Sequence, residues 1–98
     1  MTEDQTQQAH HEIARATQAR QIVEDPIFRE AADGLKSQLM EQWEQSPARD
    51  TEGRERLWLA VSLLGKLEAH LLQVMQTGKM AQFQLKEART LLDRMVRR

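Results

Sequence analysis

From Arg54 to Gln76 the chain reads RERLWLAVSLLGKLEAHLLQVMQ, with apolar residues at Leu57, Ala60, Val61, Leu64, Leu67, Leu71, Val74 and Met75. Spacings of three and four hold these side chains on one face of an α-helix. Leu59, Leu63 and Leu72 lie on the flanks of that stripe and widen the apolar arc beyond half the circumference, more than one partner helix covers. Any fold containing this helix must bring a second surface to it, from the rest of the chain or from other chains.

The rest of the chain is short. Ninety-eight residues make one domain at most and have limited capacity to bury a core, so oligomerisation is the natural remedy. Helix-favouring Ala, Leu, Gln, Glu, Arg, Met and Lys dominate, while Tyr is absent and β-branched residues are scarce, which predicts an all-α fold. With no Cys, disulfides and thiolate metal sites are excluded. The polar start Met1-Thr2-Glu3-Asp4-Gln5 lacks the features of a signal peptide, and no apolar run is expected to be long enough to cross a bilayer. The chain reads as soluble and untargeted, and no membrane partner is expected.

In chain order, the Gln-rich residues 1–8 show no periodicity and are expected to be a disordered tail, followed by a single helical domain over 9–98. A weakly apolar helix carrying Ile13, Ala16 and Val23 is expected over about 9–24. Asp25-Pro26 marks a boundary: Pro suits the first turn of a helix and Asp25 is a ready N-cap. Ile27, Phe28, Ala31, Ala32, Leu35, Leu39 and Trp43 then follow helical spacing over about 26–45, with Gly34 as a weak point or a place for close crossing. Ser46 to Gly53 reads as a loop, with Asp50 or Thr51 capping a helix over about 52–77. A last helix is expected over about 79–95, with Gly78 either ending the central helix or lying within a continuous one. Residues 26–76 are thus expected to form an antiparallel αα-hairpin flanked by N- and C-terminal helices and assembled into a homo-oligomeric bundle or ring.

Chemistry is sparse. His10-His11-Glu12 places adjacent side chains about 100° apart on a helix, unlike the i, i+4 histidines of a helical zinc site. Gly78-Lys79 lacks the other glycines and the Ser or Thr of a phosphate-binding loop, and Ser37, Ser46 and Ser62 have no recognisable base beside them. No catalytic, cofactor or metal residue is therefore named, and an enzyme is not expected. Two residues are anomalous on the central helix. Glu68 falls inside the apolar arc, where it either pairs with Arg54, Arg56 or another subunit's arginine or, the simpler reading, sits at the seam between two packed surfaces and reaches water, and Trp58 projects from the polar side as an interface anchor. The expected oligomer interface is Leu57, Trp58, Val61, Leu64, Glu68, Leu71 and Met75.

Charge divides between the ends. Residues 1–25 hold Glu3, Asp4, Glu12, Glu24 and Asp25 against Arg15 and Arg20, whereas residues 79–98 hold Lys79, Lys86, Arg89, Arg94, Arg97 and Arg98 against Glu87 and Asp93. A solvated basic face is the simplest reading, and Lys86, Arg89, Arg94, Arg97 and Arg98 are candidate nucleic-acid contacts.

Pro26-Ile27-Phe28, the run PARDTEGRERLW from Pro47 to Trp58, Leu67-Glu68-Ala69-His70-Leu71 and Met75-Gln76-Thr77-Gly78-Lys79 together resemble small all-helical proteins of tailed bacteriophages and prophages, over roughly residues 20–85. Such proteins are often encoded near portal, capsid and terminase genes. The resemblance implies a non-enzymatic role in virion assembly or DNA packaging, as an oligomerising adaptor comparable to the oligomerisation core of a small terminase subunit, with packaging or capsid proteins as partners. The helix-turn-helix that many small terminase subunits carry is not recognisable in this chain. A phage inhibitor that docks on a host defence or transcription protein is the alternative.

Overall fold

The computed structural model describes residues 1–97 and is all-helical among them: α1 spans Glu3–Glu24, α2 Pro26–Gln45 and α3 Thr51–Val96. Each helix starts at a side-chain cap that accepts the backbone N–H three residues on. Thr2 Oγ1 accepts from Gln5 N at 3.2 Å, Asp25 Oδ1 from Phe28 N at 2.9 Å, and Asp50 Oδ1 from Gly53 N at 3.1 Å. Such caps satisfy amide groups that the first turn otherwise leaves without partners.

Thr2 also explains why residues 1–8 are not the expected disordered tail. Its backbone N–H donates to Gln5 Oε1 at 2.8 Å, so Thr2 and Gln5 form a reciprocal capping box that starts α1 at Glu3. The T-x-x-Q signature stands in the sequence, but the absence of apolar periodicity conceals it. In the C-terminal half, of the two alternatives at Gly78 the continuous one holds: the stretches read over 52–77 and 79–95 are parts of one helix of 46 residues. Gly78 keeps a helical backbone, and no glycine among the described residues has a positive φ.

The chain divides into two compact units. One comprises Met1–Gln21 with the chain from Leu71 onward, and the other Ile22–His70. In the first, α1 and the second part of α3 approach through small residues. Ala9, Ala16 and Ala19 of α1 and Gly78 and Ala81 of α3 are buried. A Cβ placed on Gly78 would collide with Ala16 Cβ and stand 2.9 Å from the Glu12 carbonyl oxygen, so the missing side chain is what permits the approach.

In the second unit, Arg54 in the first turn of α3 clasps the end of α2. One guanidinium nitrogen donates to the Trp43 carbonyl, the Ser46 carbonyl and Ser46 Oγ at 3.1–3.2 Å, and the guanidinium carbon lies 4.0 Å from the Trp43 ring centroid. The last carbonyls of α2 thereby gain a cationic donor where the helix dipole is negative. Gly34 makes no close crossing, since a Cβ there would meet nothing within 4 Å.

The described core contains only small side chains. Ala9, Ala16, Ala19, Ala32 and Ala81 are the buried hydrophobic residues, and no large side chain is fully buried. The accessible surface is 8274 Å², whereas a folded monomer of 11.4 kDa is expected to expose about 5,800 Å².

Candidate functional site

The structure separates the apolar residues of the central helix into two sets. Leu57, Val61, Leu64, Glu68, Leu71 and Met75, six of the seven residues expected at an oligomer interface, are half-buried within the chain. Trp58, the seventh, is 62% exposed. Beside it, Leu59, Leu63 and Leu67 are 49%, 64% and 54% exposed, and because they recur every four residues they form one ridge along α3 within the second unit. Periodicity places Leu67 in the stripe and Leu59 and Leu63 on its flank; in the structure all three are about half or more exposed, while Leu57, Val61 and Leu64 are half-buried.

Glu68 has no arginine partner among the described residues. Arg54 is engaged with Trp43 and Ser46, and Arg56 pairs with Glu52 one turn earlier at 2.7 Å. No ion pair among the described residues includes Glu68. Glu68 is half-buried, and no unpartnered side-chain oxygen is buried among the described residues, so its carboxylate reaches water.

The basic residues gain an arrangement from the continuity of α3. Lys79, Lys86, Arg89 and Arg97 stand at helical spacing along one row that also includes Asp93, with Arg94 to one side, and all are exposed. Arg98 lies outside the described residues. Next to this row, an open groove of about 1000 Å³ in the first unit is lined by Met1, Gln8 and Glu12 on one side and Phe83, Lys86, Leu91 and Arg94 on the other. Its acids and bases are mixed, and no nucleophile with an adjacent base is among its lining residues. No group of three or more His, Asp or Glu side chains able to hold a metal ion occurs among the described residues.

α3 also contains a stretch long and apolar enough to cross a membrane by length and composition, contrary to the expectation from sequence, and none of that stretch is buried. Its most apolar part, around Leu57–Val74, contains Lys66 and Glu68. A lysine at the centre of a bilayer costs about 2.5–3.5 kcal/mol, whereas in a helix packed against protein its ammonium reaches water. The composition fits a protein-facing surface better than a lipid-facing one.

No family model, no curated protein and no solved structure matches the chain.

Proposed function

We propose that this is a non-enzymatic, homo-oligomeric helical adaptor, acting in phage assembly or DNA packaging. The observation that carries the oligomer is the mismatch between surface and core: large apolar residues stand exposed along all three helices, while among the described residues only alanines and Gly78 are buried. Surface of that kind marks an interface. α2 and the first part of α3 are read as an antiparallel αα-hairpin, a reading supported by the connection at residues 46–50 and by the Arg54 clasp across it. The phage setting rests on the resemblance at residues 47–58 and 67–79. Host lysate fractionated during phage assembly should show the chain co-sedimenting with head or packaging intermediates; its absence from all such fractions would remove the assembly role.

The basic row on α3 supports phosphate contact during packaging. Affinity for duplex DNA is expected to fall steeply with added salt, and neutralising Lys86, Arg89, Arg94 and Arg97 together should lower the slope of log affinity against log salt by roughly three to four. Fluorescence anisotropy over a salt series measures this, and undetectable binding at low salt rules the contact out.

A second reading, an inhibitor that docks on a host defence or transcription protein, is favoured by one observation, the exposure of Trp58. Trp is enriched among residues that dominate binding energy when an interface closes over them. Selective loss of one host protein from a pull-down with Trp58→Ala distinguishes this reading from assembly.

A further inference from the structure

We infer that the exposed ridge Leu59–Leu63–Leu67 of α3 is the self-association surface, and that it pairs antiparallel with the same ridge of a second copy about a two-fold axis near Leu63. This deepens the oligomeric reading above and rests on it. The interface expected from the periodicity is displaced by about a quarter to a third of a turn around the helix. Leu57, Val61, Leu64 and Leu71 are half-buried within their own chain, while the three leucines of the ridge are about half or more exposed.

Three observations select a second copy as the occupant. The first is area. The surface exceeds that of a folded monomer of this mass by about 2,500 Å² per chain, so two chains together carry about 5,000 Å² of excess, enough for the 2,000–5,000 Å² buried in obligate homodimers. The second is the symmetry of the ridge. Leu59 and Leu67 stand four residues either side of Leu63, so an antiparallel copy sets Leu59 against Leu67 of its partner and Leu63 against itself, the self-complementarity that a two-fold interface requires.

The third is charge. Glu55 and Lys66 occupy the same flank of the ridge, and in an antiparallel pair equivalent flanks face each other, which brings Lys66 of one chain toward Glu55 of the other. The two positions are offset by five residues, about 7.5 Å along the axis, within the combined reach of two long side chains. Arg56, which on the helical wheel falls between Leu63 and Leu67, is already paired with Glu52. The ridge therefore meets its copy with apolar residues opposed at the centre and opposite charges at one edge.

Leu63→Glu places two carboxylates at the axis. Since Leu63 is 64% exposed in the single chain, the variant is expected to keep its helical circular dichroism while its light-scattering mass drops to half that of the wild-type protein or less. The chain has no Cys, so Leu63→Cys gives a clean cross-linking site. Mild oxidation should convert most of it to a disulfide-linked dimer, with little from Lys36→Cys on α2. A Leu63→Glu protein that keeps the wild-type mass, or a Leu63→Cys protein that fails to cross-link in an oligomeric sample, overturns the ridge assignment and leaves self-association standing. A wild-type protein that is monomeric overturns both. If Leu63→Glu fails to fold, the cross-linking result decides.

Discussion

Replacing Gly78 with leucine is expected to destabilise the unit formed by α1 and the second part of α3 by about 1–3 kcal/mol, the usual cost of forcing extra methylenes into a packed contact. The reason is local and steric. Even a single Cβ on Gly78 would collide with Ala16 Cβ and lie 2.9 Å from the Glu12 carbonyl, and backbone does not rotate away as a flexible side chain does. Gly78→Ala tests two opposed terms, a gain of about 1 kcal/mol in helix propensity against this collision, and the collision is expected to win. Gly34→Ala serves as the control. Nothing lies within 4 Å of a Cβ there, so only the propensity term acts and the variant should be more stable than the wild type. Hydrogen exchange should locate the loss for Gly78→Leu in α1 and beyond Leu71. Protection there equal to wild type would show that the two helices do not meet at Gly78.

Arg54→Ala is expected to loosen the other unit by about 1–3 kcal/mol. Hydrogen bonds to a charged group contribute about 1.5–3 kcal/mol each when well shielded, but the bond to the Trp43 carbonyl is exposed and those to Ser46 are only part-buried, so the full sum is not reached. Stacking over the Trp43 ring adds about 0.5–1 kcal/mol at such a site. Arg54→Lys restores charge without the planar guanidinium and should recover only part of the loss. Chemical denaturation followed by tryptophan emission measures both variants, because Trp43 sits under the guanidinium. An Arg54→Ala protein with wild-type stability would mean that the clasp contributes nothing.

These two residues show which parts of the structure could be read from sequence. Asp25 before Pro26 declares a helix start through local chemistry, as does Asp50, one of two neighbouring cap residues with Thr51, and the caps form at Asp25 and Asp50. The reciprocal bonds of Thr2 and Gln5 are equally local, yet without an apolar pattern behind them the first turn of α1 reads as a tail. Gly78 was ambiguous for a physical reason: the same residue serves as a left-handed helix end or as a gap for a neighbouring backbone, and only the position of Ala16 decides between them. The apolar arc of α3 was legible as too wide. Which part of it stays outside depends on where the chain's own helices pack, and periodicity does not contain that information. Leu59 and Leu63 therefore read as mere flanks and Leu67 as one more residue of the stripe, while Leu57, Val61 and Leu64 belong to the expected interface.

The central claim is that exposed apolar surface on this chain is covered by further copies of it. Sedimentation equilibrium of the wild-type protein across the micromolar range tests that most directly. A mass at least twice 11.4 kDa that persists on dilution through that range is expected. A single species of 11.4 kDa with full helical circular dichroism would contradict it.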